Sequence, residues 1–271
     1  MTVNIANHEY PGVWDGVYYF GLSDYPNISD WELRKLLMFM KYEKKHNRQT
    51  EIICEDKNIL EAVNHAIANP ALFLSTRKPS KIIVSACVNC RKGGCLTDYL
   101  CHTTEIQYAK AILKCGKLLS AVKARNKTAE ELVAEPRAAS KDPLDYFDYI
   151  MFMWGNCIGG DSLVMERTLG RFPNEHDLGA GLKPGVRFYF RYDDIVNHKD
   201  YADDGHHAAK VKNELLLADY LHCCIIPESY REEFENIVPS NFAGRVFYVE
   251  NDCKDVWEWA DKVYNLVVSV V

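Results

Sequence analysis

The sequence predicts an α+β fold, with helices gathered early and at the carboxyl end and strands in the second half. Three observations carry that expectation. Apolar residues recur at helical spacing in SDWELRKLLMFMKYEKKH, DKNILEAVNHAIAN and DVWEWADKVYNLVV. Short β-branched and aromatic runs occupy KIIVSACV, TDYLCHTT, VRFYFRYDDI and NELLLADYLHCCIIP. Neither an internal repeat nor a low-complexity tract interrupts them. At 271 residues, 48% hydrophobic and 26% charged, the chain is long enough to bury a sizeable core. Its formal net charge of -6 argues against a long non-specific grip on nucleic acid, and leaves room for a local basic groove.

Taken in order, residues 1–80 read as irregular aromatic segments and two helices, an α/β extension to a domain spanning 81–271. Ser29 and Asp30 suit the start of the first helix, with Leu33, Leu36 and Leu37 on its apolar face. TEIIC is a short strand; the second helix repeats the pattern through Ile59, Val63 and Ile67. After the strand at 81–88 and the strand TDYLCHTT, EIQYAKAILKCGKLLS is a helix with Tyr108, Ile112 and Leu113 on one face, closed by Gly116. Residues 123–145 read as a polar, Ala-rich helix and loop, and YFDYIMFMWGNC as an apolar segment. GNCIGGD is read as turns, because the spacing and the Lys-Ser/Thr ending of a phosphate loop are missing. VRFYF nears strict alternation around Phe188 and Phe190. A polar loop at 197–213 carries His198, His206 and His207, and NELLLADYLHCCIIP follows as strand, turn and strand.

No stretch approaches the ~20 apolar residues that span a bilayer, and the amino terminus does not read as a secretory signal. A cytoplasmic setting with free thiols is therefore expected. Within the cysteines, CVNCRKGGC places Cys87 and Cys90 as a C-x-x-C, with Cys95, Cys101 and His102 close behind. One such knuckle with nearby ligands can hold zinc, so a zinc-knuckle binding module is an alternative to an enzyme.

Three elements carry chemistry by their order: His102-Thr103-Thr104 at a strand end before a helix, the aromatic strand through Tyr189, and Glu214 opening an apolar strand after a polar loop. This order resembles the ADP-ribosyltransferase superfamily, and within it the DNA-targeting toxins and their relatives. LCHTTEIQYAKAILKCGKLLS and NELLLADYLHCCIIP carry the resemblance, over about residues 97–230. It implies a split mixed or antiparallel sheet core with NAD as substrate. Glu214 is then the catalytic carboxylate, and His102, Thr103, Thr104 and Tyr189 bind NAD, with Tyr189 stacked on nicotinamide. Arg167 and Arg171 are candidates for the pyrophosphate, their plain alternative being surface ion pairs with Glu166 or Glu175. The loop before Glu214 would meet the acceptor. Lys212 stands two residues before that Glu, where many protein-modifying members carry Gln or Glu. The resemblance thus favours a nucleic-acid or nucleotide acceptor over a protein, and a toxin or defence role. An NAD glycohydrolase using the same Glu is the third reading.

Overall fold

The computed structural model describes residues 1–8, 12–14, 16–75, 98–135 and 143–270. The strand expected at 81–88 and Cys87, Cys90 and Cys95 lie outside them. Mixed α and β structure is observed, divided between two compact units. The first comprises Met1–Leu96, Thr128–Tyr146 and Ala202–Lys210; the second comprises Thr97–Lys127, Phe147–Tyr201 and Val211–Val271. The described residues 128–135, 143–146 and 202–210, expected within the second domain, thus group with the amino-terminal segment.

The first unit holds more strand than its sequence announces. Strands β1 (Thr2–Ala6), β2 (Gly12–Trp14), β3 (Val17–Gly21) and β4 (Glu51–Cys54) form a sheet in the order β2-β3-β1-β4. Here β1 runs parallel to both β3 and β4. TVNIA and VYYFG are too short to show a period, so residues read as irregular prove to be the middle of a sheet. Helices α1 (Asp30–Lys45) and α2 (Lys57–Ala68) follow β3 and β4. Ser29 caps α1 in a reciprocal box with Glu32, and the Asp56 side chain caps α2. Val3, Ile5, Phe20, Leu36, Phe39 and Val63 form the core of this unit. On α2 the third buried position is Ala66; Ile67 is 39% exposed.

The second unit is built on β5 (Tyr99–Thr104), β7 (Tyr149–Trp154), β8 (Val186–Arg191), β12 (Leu221–Pro227) and β13 (Val246–Val249), in the order β13-β12-β8-β5-β7. The sheet ends in β10 (Ala209–Lys212) and β9 (Tyr201–Ala202). A separate two-stranded ladder pairs β6 (Lys117–Leu119) with β11 (Glu214–Leu216) antiparallel. Between β5 and β6 runs α3 (Ile106–Cys115), closed by Gly116 in the left-handed region at φ 68°. Its buried residues are Ala109 and Leu113, while Tyr108, expected inward, is 41% exposed. The segment GGDSLVMERTL, read as following turns, is helix α4 (Gly159–Leu169), and α5 (Val256–Ser269) closes the chain.

Strand β8 corrects the expected alternation. Val186 through Phe190 are all buried, because β8 is paired on both edges by β5 and β12 and covered on both faces. In register, Cys101 pairs Tyr189 and Thr103 pairs Arg187, so these four share one face. That face packs on Met165 of α4 and Val256, Trp259 and Val263 of α5. His102 pairs Phe188 and Thr104 pairs Val186, which places them on the opposite face with Phe152.

Candidate functional site

Glu214 is the first residue of β11, opposite Leu119. The preceding residue, Asn213, has φ 67°; its N–H donates to the Asp148 carbonyl at 2.9 Å and its carbonyl accepts from the Ser120 N–H at 2.8 Å. The backbone at the strand entrance is therefore tied on both sides. The carboxylate, 40% exposed, accepts from Lys117 Nζ and Lys123 Nζ, each at 3.2 Å. Hydrogen bonds from the two lysines, and their charge, hold its pKa below the usual carboxylate range. The result is an ionised, solvent-reachable carboxylate on a rigid support. Lys117 sits diagonally across the ladder from it, and Lys123 comes from the short helix Ala121–Arg125.

The His-Thr-Thr triplet is divided by the pleat. His102 is half-buried beside Phe152, and its Nδ1 lies 3.1 Å from the Met151 carbonyl. A carbonyl only accepts, so Nδ1 carries the proton and Nε2 a lone pair. Burial lowers the ring's pKa and keeps it neutral. Thr104 is buried on the same face. Thr103 faces the other way, against α4: a Cβ placed on Gly160 would come within 2.6 Å of the Thr103 Cβ.

Tyr189 does not fill the role expected of it. Its ring is fully buried between the sheet and the helices, and its hydroxyl accepts from Arg187 at 3.1 Å. It also lies on the opposite face from His102, so the two do not converge on one ligand. Arg187 is fully buried as well. Its Nε donates to Asp161 Oδ2 at 2.9 Å, a second N–H meets the same oxygen, and the Gly155 and Cys157 carbonyls accept from it at 3.4 Å. Asp161 Oδ1 accepts from the Gly185 N–H at 3.0 Å. This ion pair was missed, although a charge inside the apolar run VRFYF is itself the signal that a buried partner exists.

Arg167 and Arg171 are surface residues. Arg167 pairs with Glu105 at 3.5 Å, and Arg171 grips Asp177 through two N–H groups at 2.6 and 3.2 Å. Neither partner is the Glu166 or Glu175 that sequence proximity suggested. Among the described cysteines, burial pushes the Cys101 and Cys224 thiols up and that of Cys223 to about 12, which makes them inert packing groups. No group of three or more metal-ligating side chains occurs among the described residues.

Between Ile106 and Lys127 the sequence carries Lys110, Lys114, Lys117, Lys123, Arg125 and Lys127 without one Asp or Glu. Lys110 pairs with Glu233, and the Arg125 guanidinium stands 5.8 Å from the Tyr108 ring. With the pair at Glu214, this gives one stretch of the second unit a basic, partly aromatic character in an acidic chain. Among the described residues no helix is long and apolar enough to cross a membrane. Neither a family model nor a curated protein nor a solved structure matches the chain.

Proposed function

We propose that the protein is an NAD-dependent ADP-ribosyltransferase in which Glu214 is the catalytic carboxylate. The observation that supports this reading most is the setting of Glu214: ionised, reachable from solvent, and fixed at a strand entrance whose backbone is tied on both sides. When the bond from nicotinamide nitrogen to ribose C1′ breaks, its electron pair leaves with nicotinamide and positive charge develops on the ribose. A pre-placed carboxylate stabilises that charge without reorganising. The acceptor's nucleophilic atom then bonds to C1′, and its proton passes to Glu214 or to water. Lys117 and Lys123 would turn to the NAD diphosphate, and the neutral His102 would accept a ribose hydroxyl at Nε2. The separation of the ladder carrying Glu214 from the larger sheet accords with a split-sheet catalytic core. The basic stretch 106–127 favours a nucleic-acid or nucleotide acceptor over a protein. Tyr189 and Thr103, committed to the core, have no part in this scheme.

The test is NAD labelled on its adenylate phosphate, incubated with the protein alone and with DNA, RNA or cell extract. Wild type is expected to consume NAD and label one acceptor class, and Glu214→Gln to lower the rate by about 10²–10³-fold at unchanged fold. Loss of NAD with release of free ADP-ribose alone would make water the acceptor. NAD left intact by wild type under every condition, or consumed equally by Glu214→Gln, would refute the assignment.

A further inference from the structure

Among the described residues, three other than glycine adopt the left-handed conformation: Asn47 at φ 58°, Asn126 at φ 51° and Asn213 at φ 67°. Asn47 and Asn126 stand where a helix ends, after α1 and after the short helix Ala121–Arg125, and there the conformation is ordinary. Asn213 stands between two strands instead. Lys212 is the last residue of β10 and Glu214 the first of β11, so one left-handed residue takes the chain out of the large sheet and into the two-stranded ladder. A left-handed residue bends a strand and re-aims the side chain that follows, whereas an extended one would carry β10 straight on.

The partner strand is entered in the same way. Gly116, at φ 68°, leads directly into β6 and its first residue, Lys117. The Leu217 N–H donates to the Gly116 carbonyl at 2.9 Å, and the Ser120 N–H to the Asn213 carbonyl at 2.8 Å, so each left-handed residue also closes one end of the ladder. Leu118 and Leu215 pair on its buried face, each 1% exposed. Lys117 and Glu214 come first after their turns and share the opposite face, which solvent reaches. Lys123 Nζ meets the same carboxylate from beyond the ladder. All of these residues belong to the second unit.

We propose that Asn213 is a positioning residue: its left-handed backbone turns the chain from β10 into the ladder and thereby aims the Glu214 carboxylate at Lys117 and Lys123. It acts through Glu214 and touches no substrate. Asparagine and glycine adopt this conformation readily, and a β-branched residue does so only under strain. The residue type at 213 therefore decides whether Glu214 keeps its lysine partners. The consequence for catalysis rests on the reading of Glu214 given above.

The experiment compares the full chain with Asn213→Gly and Asn213→Val; should the valine variant not fold, Asn213→Ala takes its place. The Glu214 carboxyl is titrated by NMR, assigned through Glu214→Gln, and NAD consumption is followed on the same samples. In wild type and Asn213→Gly the carboxyl is expected to titrate below the ordinary carboxylate range, because the two lysines hold it there. In Asn213→Val it should move up to the ordinary value while β12 and α5 keep their amide protection. NAD consumption should then fall about 10²-fold, the scale of a misplaced catalytic group. A carboxyl that titrates alike in wild type and Asn213→Val overturns the assignment. So does a shift in Asn213→Gly as large as that in Asn213→Val, because the side chain and not the backbone would then be responsible. If the titration moves as expected but NAD is not consumed by wild type, or is consumed equally by Asn213→Val, the enzymatic reading of Glu214 fails and the positioning role stands. If the titration stays unaltered while wild type consumes NAD and Glu214→Gln does not, the positioning role fails and the reading stands.

Discussion

Buried charge in this protein is placed in pairs, and each pair is legible only once its partner is known. Arg187 and Asp161 are both fully buried, and every polar atom of the Asp161 carboxylate is engaged. Removing one member strands the other, which in buried pairs costs about 3–5 kcal/mol. Arg187→Met should therefore lower unfolding stability by about that amount in urea denaturation, and Arg187→Met/Asp161→Leu by clearly less. An equal loss in the single and double variants would mean that packing, and not the ion pair, sets the effect. Glu214 is the opposite case. Its two lysine pairs are solvent-exposed, so Glu214→Gln should leave the melting temperature nearly unchanged, which is why the variant is a clean probe of chemistry.

At the scale of elements, close approach and backbone conformation make separable demands on glycine. Gly116 closes α3 with φ 68° and open space around a would-be Cβ, so Gly116→Ala meets conformational strain alone, about 1 kcal/mol. Gly160 has ordinary helical backbone, but α4 packs through it onto Thr103 of β5. Gly160→Ala must push helix and strand apart, an overpacking cost of about 1–3 kcal/mol. Thermal unfolding of the two variants, with Thr103→Ala added to each, separates the mechanisms. Thr103→Ala should recover part of the loss at Gly160 and none at Gly116. Helices α1, α2 and α5 were legible in sequence through their repeating apolar faces, and α1 also through Ser29 at its start; the caps Asp56 and Asp255 emerged from the structure. Helix α4 was not, because the preceding GNC and its own opening Gly159-Gly160 mimic turns and its apolar positions follow no single stripe.

For the molecule as a whole, the histidines and acids that the two units bury give the pH dependence of stability its sign. Burial lowers the pKa of His102 and His222, and that of His206 far below its ordinary value. The last sits among Tyr18, His207, Asp204, Lys35 and Lys210. A histidine held neutral when folded gains a proton on unfolding, so stability falls as pH drops below the unfolded value of about 6.5. Asp204 and Asp145 behave differently. Burial raises them, but His207 and Lys210 hold the first, and Arg48 and Tyr42 the second, below the carboxylate range. Their stabilisation is present above about pH 4 and is lost as pH falls through the folded values. The melting temperature should therefore decline in two stages, one beginning near pH 6.5 and one below about pH 4. His206→Phe should flatten the first stage, and a profile unaltered by that change would show that His206 stays neutral at no cost.

The sequence by itself determined the mixed α and β class, the helices that carry both caps and a repeating apolar face, and the strand–turn–strand that begins at Glu214. These follow from local periodicity and capping, which neighbouring residues settle among themselves. The tertiary structure decided which residues share a face and which segments share a core. Register put Tyr189 and His102 on opposite sides of one sheet and buried Arg187 against Asp161, although all four stand in plain view in the sequence. It also grouped Ala202–Lys210 with the amino-terminal segment and buried Asp204 against Lys210. Strand pairing and buried charge join residues distant in the chain, and no local pattern encodes a partner so far away.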